Sequence, residues 1–159
     1  MYFSSKKDFA KTLVSGYMRA LSAHNLDPNY AYILTAQAAI ESGWGKAQSG
    51  KFNFGGIKAG KNTPGTYKFT TEWSPSKGYY KSVEKFRNFS SIDDYCNYRI
   101  RLLSNSRYNI FNQFKAYQSY DIVYHMLKKG YGSDRGGPKS RKYARDAQSI
   151  CNSIINMLT

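Results

Sequence analysis

Apolar residues change their spacing in one stretch of the chain, which begins near residue 67, and this change limits the folds that the chain can adopt. On both sides of the stretch, apolar residues recur every three or four positions, the period of an amphipathic helix. Between residues 67 and 89, two runs follow the two-residue period of a strand, and turn residues 74–78 separate them. The sequence therefore predicts a mainly α-helical protein of the α+β class, with one β-hairpin at about residues 66–87.

Capping signals place the helices around this hairpin. A serine followed three residues later by an aspartate begins the first predicted helix, at Ser5, which runs to about His24. Asp27 and Pro28 begin the second helix, and residues 42–66, rich in Gly, Asn, Ser and Lys, are predicted to form a loop. The remaining helices are predicted from about residue 90, over 109–116, from 119 to Gly130 and from about 140.

The organisation of the chain indicates a single domain. Its 159 residues can bury a core, and no linker, repeat or low-complexity tract divides them, so we expect residues 1–159 to fold as one unit and as a monomer. No apolar run has the length of a signal peptide or a membrane span. Cys96 and Cys151 fall in predicted helices, and the histidines are isolated, so neither a disulfide nor a metal or cofactor site is expected.

The charge balance is strongly positive, with 24 Lys and Arg against 10 Asp and Glu, a net charge of +14. Such an excess attracts polyanions: nucleic acid, an anionic membrane face or an anionic cell wall. The basic residues are scattered and accompany no nucleic-acid-binding motif, which argues against nucleic acid as the partner. The 15 tyrosines and nine phenylalanines are typical either of a sugar-binding groove or of an aromatic core.

Glu41 is the first candidate catalytic residue. It ends an uncharged helical segment and is followed by Ser42, Gly43 and Trp44. The negative end of the helix dipole and apolar neighbours both disfavour an ionised carboxylate, so its pKa is expected to rise, as a general acid requires. An exposed glutamate at a helix end is the alternative interpretation.

Glu72, on the first predicted strand, is the second candidate. Two carboxylates that flank a cleft are the usual arrangement for glycoside hydrolysis, and Glu72 and Glu41 offer such a pair. Glu84 on the return strand is a rival, and an outward-facing strand residue is the alternative for Glu72. Between the two candidates, the paired glycines of residues 53–58 allow either a close approach to a ligand or a structural turn.

These residues resemble a known family. Residues 38–45, AAIESGWG, are similar to the Q-x-x-x-E-S-G-W-G signature of the glucosaminidases of glycoside hydrolase family 73, which cut peptidoglycan. Further similarities follow in the family's order over about residues 8–158. They are NFGGIK at 53–58, TEW at 71–73, FRNFSS at 86–91, Arg107-Tyr108 and Tyr143-Ala144.

The resemblance implies a lysozyme-like helical lobe and a small β-hairpin lobe, with peptidoglycan glycan strands bound between them. It implies hydrolysis of the β-1,4 bond between N-acetylglucosamine and N-acetylmuramic acid, with Glu41 as general acid. Glu72 would be the base that activates water, and participation of the substrate's own N-acetyl group is the alternative. Candidate substrate contacts implied in the same way are Trp44, Phe54, Tyr108 and Tyr143.

The sequence departs from the family pattern at two places. Gly55 replaces a phenylalanine of the family's loop, and the segment of residues 132–142 is longer than in the family. The resemblance implies an enzyme that acts at the bacterial cell wall or periplasm, as an antimicrobial phage lysin, a virion-associated enzyme or a leader-trimmed secreted enzyme. Alternatives are a muramidase or lytic transglycosylase on the same scaffold, a non-catalytic wall-binding module and, from charge alone, a nucleic-acid binder.

Overall fold

Six α-helices and one β-hairpin make up most of the residues described by the computed structural model, which are 2–131 and 134–159. The mainly helical α+β class with a single hairpin is confirmed. In chain order the elements are α1 Lys6–Ala23, α2 Ala31–Ser42, β1 Gly65–Ser74, β2 Gly78–Arg87, α3 Ile92–Ser104, α4 Ile110–Gln113, α5 Ser119–Met126 and α6 Pro138–Leu158. A 3-10 turn, Pro28–Tyr30, precedes α2, and a π-helical turn, Leu127–Tyr131, follows α5.

The predicted caps form at two helices. The Ser5 hydroxyl accepts a hydrogen bond from the Asp8 backbone N–H at 3.0 Å, and Ser91 accepts one from Asp94 at 3.0 Å. At the second helix the prediction is wrong in detail, because the Asp27 carboxylate caps the 3-10 turn by accepting from the Asn29 N–H. The last helix begins at Pro138, two residues before the predicted start, since proline has no N–H and is suited to the first turn.

Helix α2 lies at the centre of the helical lobe. It packs against α1 and α6, while α1 also packs against α3 and α5 against α6. Most of its residues are buried, including Ile33, Leu34 and the run Ala36 to Ala39. A helix that is apolar on nearly all sides is stable only inside a core, so the position of Glu41 near its end is set by the packing of the whole lobe.

An aromatic cluster joins the two lobes. Phe54, from the loop between α2 and β1, has edge-to-face contacts with Phe3, Phe9 and Tyr95, with ring centroids 5.3–6.0 Å apart. Phe89, just after β2, contacts Tyr95 at 5.5 Å. Edge-to-face pairs of this kind stabilise a core beyond the area they bury, so they attach the hairpin lobe to α1 and α3.

The hairpin has one shielded face and one exposed face, and their polarity is the reverse of the usual arrangement. The strands pair antiparallel with Glu72 opposite Tyr80 and Lys68 opposite Glu84, which places both glutamates on the same face. This face is half-buried, whereas the face that carries Tyr67 is exposed. A sheet with one solvated face normally turns its apolar side chains to the core; here the polar side is turned inward.

The outer part of the predicted loop adds to the hairpin. Lys58 pairs with Phe86 as an isolated antiparallel bridge, and the Ala59 N–H donates to the Lys85 carbonyl at 2.8 Å. A short segment around Lys58 therefore runs along the free edge of β2. As a result, the Lys58 side chain shares the face on which Phe86 and the two hairpin glutamates lie.

Two further sequence expectations concern the whole chain. Among residues 2–131 and 134–159, no helix has the combination of length and apolarity that a bilayer span requires. The same residues contain no group of three or more His, Cys, Asp or Glu side chains able to hold a metal ion. The long segment of residues 132–142 lies only partly within the described residues, which include 134–142.

Candidate active site

The sequence ESGWG forms a chain reversal at the end of α2. The Ser42 hydroxyl is buried, donates to the Ala38 carbonyl at 2.6 Å and accepts from the Gly45 N–H at 3.0 Å. The helix ends at Ser42, and the next residue, Gly43, adopts the left-handed conformation. Ser42 therefore connects the last turn of the helix to the segment that follows, and Glu41 is held next to a fixed turn.

Gly45 is required by close packing behind this turn. Its φ is +85°, and a Cβ added there would lie 2.5 Å from the Phe3 ring and 2.9 Å from the Phe9 ring. Trp44 is half-buried, with its ring 5.9 Å from that of Phe9 and the Lys6 ammonium 5.0 Å above it. These contacts anchor the reversal to α1.

Glu41 accepts a hydrogen bond at Oε1 from the Tyr143 hydroxyl of α6, at 2.8 Å. Its pKa is raised by burial, while the bond from Tyr143 and the positive charge of Arg99 act in the opposite direction. The residue as a whole is open to solvent on one side; the raised pKa reflects the protein that surrounds the carboxyl group. Glu41 is therefore accessible and disposed to hold a proton.

A buried polar pair lies behind Glu41 on the same helix face. Gln37, one helical turn before Glu41, accepts at Oε1 from an Arg99 guanidinium nitrogen at 3.3 Å, and both residues are 1% exposed. This bond gives the buried guanidinium one of the partners that a charge in the core requires. Arg99 thus brings a fixed positive charge from α3 towards the end of α2.

The loop of residues 53–58 is organised by Asn53, which is fully buried. Its Nδ2 donates to the carbonyls of Ile57 and Arg87 at 2.8 and 2.9 Å. Its Oδ1 accepts from the N–H groups of Gly55 and Ile57 at 3.2 and 3.1 Å. These four bonds use the two donors and two acceptor positions of the amide, so a single side chain holds the loop closed and joins it to the end of β2.

Replacing Asn53 with alanine is expected to lower the free energy of unfolding by about 2–4 kcal/mol, because it leaves buried backbone groups without partners. Urea unfolding followed by circular dichroism measures the change. Asn62→Ala, at an exposed turn of the same connection, is the matched control and should change stability by less than about 0.5 kcal/mol. Equal effects of the two substitutions would contradict the role given to Asn53.

The loop runs close to all three glutamates of the chain. Gly56 has a φ of +63°, and a Cβ added to it would lie 3.6 Å from Glu41 Oε2. Two residues later, Lys58 Nζ lies 3.0 Å from Glu72 Oε1 and 3.9 Å from Glu84 Oε1. Glu84 also accepts from the Ser82 hydroxyl at 3.0 Å. One short loop therefore passes near a carboxyl group of the helical lobe and forms ion pairs with two of the hairpin.

Two shallow depressions are lined by residues of α6. One, of about 290 Å³, is lined by Ile40, Tyr143 and Ile150 among others. The other, of about 250 Å³, lies between Trp73 and Tyr79 of the hairpin and Pro138 and Lys139. The first half of α6 thus takes part in the walls beside Glu41 and beside the hairpin tip.

A larger cavity, of about 710 Å³, lies elsewhere in the helical lobe, between the α1–α2 connection and the end of α6. None of the three glutamates lines it, and its single carboxylate, Asp27, already accepts the capping bond from Asn29. The arrangement of paired carboxyl groups therefore favours the site around Glu41 over the larger cavity.

Comparison with known proteins identifies a family. Residues 7–156 match the family described as "Glucosaminidase: Mannosyl-glycoprotein endo-beta-N-acetylglucosaminidase". The chain belongs to the glucosaminidase family. This family consists of glycoside hydrolases, and the match extends over nearly all of the two lobes.

Individual relatives of this glucosaminidase-family chain are bacterial. It is 34% identical to the peptidoglycan hydrolase FlgJ of Pseudomonas aeruginosa over 162 residues, which is 96% of this chain and 38% of that protein. The chain therefore spans less than half the length of this curated relative. A glycoside hydrolase domain of Salmonella typhimurium FlgJ is 28% identical, with a TM-score of 0.68 over 96% of this chain and 99% of that one.

A third relative supports the fold alone. The structure of a peptidoglycan hydrolase mutant from Sphingomonas sp. A1 is 23% identical to this glucosaminidase-family chain. It superposes with a TM-score of 0.70 and covers 96% of this chain and 97% of that one. The arrangement of a helical lobe with a small hairpin is therefore shared with solved structures.

The residues predicted as substrate contacts divide into two groups. Tyr143 donates a hydrogen bond to Glu41. Trp44, three residues after Glu41 in the sequence, is half-buried. Phe54 is 1% exposed, inside the aromatic cluster, and Tyr108 is 7% exposed, with its carbonyl accepting from His125 at 2.9 Å. For Phe54 and Tyr108 a substrate contact stays a prediction, and the burial of both residues in the core does not favour it.

Sequence reasoning missed Asn53, Lys58 and Arg99 as residues of the site. Asn53 and Lys58 belong to the quoted loop, but neither has a local pattern that marks its partners, which lie up to 34 positions away. For Arg99 a weak signal was available. Its position in α3, between the buried Cys96 and Leu103, places a charge on the apolar side of a helix.

Proposed function

We propose that this protein is a peptidoglycan hydrolase, an endo-β-N-acetylglucosaminidase that cleaves the β-1,4 bond between N-acetylglucosamine and N-acetylmuramic acid. The observation that carries the proposal is Glu41: a residue exposed to solvent on one side whose carboxyl group has a raised pKa and is bonded to Tyr143, in a chain of the glucosaminidase family. A general acid must still hold its proton near neutral pH, and burial of Glu41 acts in that direction.

Glu41 is the proton donor in this mechanism. Its Oε1 is already engaged by Tyr143, which leaves Oε2, the oxygen that faces Gly56, to protonate the glycosidic oxygen. As the proton leaves, the carboxylate that forms is stabilised by the same hydroxyl and by the nearby charge of Arg99. The site therefore suits both the protonated and the ionised form of the acid.

Glu72 is the base that accepts a proton from the attacking water. Lys58 holds it on the inward face of the hairpin through the 3.0 Å ion pair, and its side chain is 24% exposed. Glycoside hydrolysis by a carboxyl pair requires one group on each side of the sugar. Glu41 belongs to the helical lobe and Glu72 to the hairpin, so the two lobes supply one group each.

The partner and place of action follow from the substrate. The relative from Pseudomonas aeruginosa is named as a peptidoglycan hydrolase, and a net charge of +14 attracts this protein to an anionic wall. We infer that it acts as a monomer on glycan strands at the bacterial cell wall. Cleavage of the glycan strands weakens the wall, and this is the lytic activity of a lysin or autolysin.

Product analysis tests the proposal directly. Purified peptidoglycan is digested, and the soluble fragments are reduced and identified by mass spectrometry. We expect N-acetylglucosamine at the reducing ends. Reducing or 1,6-anhydro muramic acid would instead identify a muramidase or a lytic transglycosylase, and the absence of any product with binding retained would identify a non-catalytic wall-binding module.

Replacing Tyr143 with phenylalanine is expected to move the alkaline limb of the pH profile of kcat/KM to higher pH. The bond from Tyr143 lowers the pKa of Glu41, so its removal raises that pKa, and the acid keeps its proton to a higher pH. Turbidity loss of peptidoglycan suspensions across pH measures the shift. Tyr120→Phe, in α5, should leave the profile unchanged, and a shift to lower pH in Tyr143→Phe would refute the assignment.

A further inference from the structure

The outer face of the hairpin carries an apolar surface that neither the core nor the candidate active site uses. We define it by six side chains of β1 and β2: Tyr67, Phe69, Thr71, Lys81, Val83 and Lys85. Phe69 is 83% exposed, Tyr67 68% and Val83 55%. A group of large apolar side chains exposed together on a protein surface usually indicates an interaction site.

The register arranges these six side chains in three rows across the strands. A fourth row, Trp73 opposite Tyr79, lies on the same face at the hairpin tip, where both side chains line the depression beside Pro138 and Lys139 of α6. Phe69 lies directly opposite Val83 in the middle row, and lysines flank that pair, with Lys85 opposite Tyr67 and Lys81 opposite Thr71. Side chains of adjacent positions point to opposite faces, so the outer face is turned away from Glu72 and Lys58. A ligand bound to the six side chains therefore lies on the opposite face of the hairpin from the ion pair of Lys58 and Glu72.

The chemistry of these six side chains selects the partner. The middle row has no polar atom, the lysines carry positive charge, and the face contains neither a carboxylate nor an amide. Sugar recognition combines aromatic rings with groups that accept hydrogen bonds from hydroxyls, and the only such acceptors among these six side chains are the Tyr67 and Thr71 hydroxyls. Aromatic residues with lysines whose stems lie along apolar surface are typical of proteins that rest on a lipid interface.

We propose that the outer face of the hairpin binds the surface of an anionic phospholipid bilayer. Phe69 and Val83 enter the boundary between headgroups and acyl chains, Tyr67 lies at headgroup level, and Lys81 and Lys85 contact lipid phosphates. The net charge of +14 brings the protein to such a surface. The contact is peripheral, and it leaves the inward face of the hairpin free for the site between the lobes.

Vesicle co-sedimentation at near-physiological salt tests the proposal without any turnover, so its outcome is independent of the proposed hydrolase activity. The protein is expected to bind vesicles of phosphatidylglycerol and phosphatidylcholine in equal parts, and not vesicles of phosphatidylcholine alone. The double variant Phe69→Ser/Val83→Ser should partition at least about tenfold more weakly. In Lys81→Gln/Lys85→Gln the affinity for anionic vesicles should fall about fivefold for each lysine removed.

Matched controls separate this surface from general stickiness and from misfolding. Tyr117→Ser removes an aromatic ring that is 82% exposed on the helical lobe and should bind vesicles as the unchanged protein does. Val83→Thr keeps the shape and strand preference of valine and should still weaken binding, while circular dichroism verifies the fold of every variant. In Phe69→Trp, vesicles should shift the added fluorescence to shorter wavelength.

Four results would overturn the proposal. The first is that the protein does not bind anionic vesicles, and the second is that Phe69→Ser/Val83→Ser binds them as well as the unchanged protein does. The third is that this double variant no longer binds lipid-free peptidoglycan. The fourth is that the unchanged protein forms a dimer and the double variant does not. The second result would mean attraction by charge alone. The third would identify a glycan-binding face, and the fourth an interface between two copies of the chain.

Discussion

Replacing Glu41 with glutamine is expected to lower kcat on peptidoglycan by about 10²–10⁴-fold, the contribution of a well-placed general acid. The substitution keeps the shape of the side chain and an oxygen that can accept from Tyr143 Oη. What it removes is the proton that the leaving oxygen requires. Glycan binding, measured by co-sedimentation with insoluble peptidoglycan, should therefore change by no more than a few-fold.

Asp121→Asn is the control for this experiment, because Asp121 is an exposed carboxylate in the first turn of α5, a helix that supplies none of the candidate site residues. It should retain full activity. If Glu41→Gln cleared cell walls as fast as the unchanged protein, Glu41 would not be the acid. If it lost binding and turnover together, the residue would serve to bind the substrate.

Replacing Glu72 with glutamine is expected to lower kcat by about 10²-fold, whereas Glu84→Gln should change it by no more than about threefold. The two residues form a matched pair, since they lie on the same face of the hairpin and both approach Lys58. Glu72 is closer to that ammonium, and Glu84 is further engaged by the Ser82 hydroxyl. The comparison therefore separates loss of a base from loss of charge around Lys58.

The outcome of this pair also decides the second role in the mechanism. A large loss in Glu84→Gln with a small one in Glu72→Gln would exchange the two assignments. Small losses in both would mean that the N-acetyl group of the substrate assists the reaction in place of a protein base. Stability of both variants, measured by thermal unfolding, should remain close to that of the unchanged protein because neither carboxylate lies in the core.

Much of the local structure was predictable because its causes lie within a few residues of one another. Ser5 with Asp8 and Ser91 with Asp94 form the caps that their spacing predicts. The change to a two-residue period correctly placed the hairpin, since side chains alternate along a strand. The ESGWG segment carries its own chain reversal through the Ser42 hydroxyl.

The burial of aromatic residues was less predictable. Phe54 and Tyr108 are aromatic residues of the kind that line sugar-binding grooves, yet both belong to the core. Phe69 has the pattern of a core strand residue, yet it is exposed. Periodicity states which residues share a face of an element, but it does not state which face meets the rest of the protein, because that depends on how distant elements pack.

By itself the sequence determined the order and type of the elements, the hairpin between helices and the position of Glu41 at the end of an apolar helix. Only the tertiary structure decided that Tyr143 bonds to Glu41, that Lys58 lies between Glu72 and Glu84, and that the hairpin turns its aromatic side outward. The physical reason is the distance along the chain between the residues that interact. Caps and turns are satisfied locally by hydrogen bonds, whereas these contacts join segments that meet only when both lobes fold around one core.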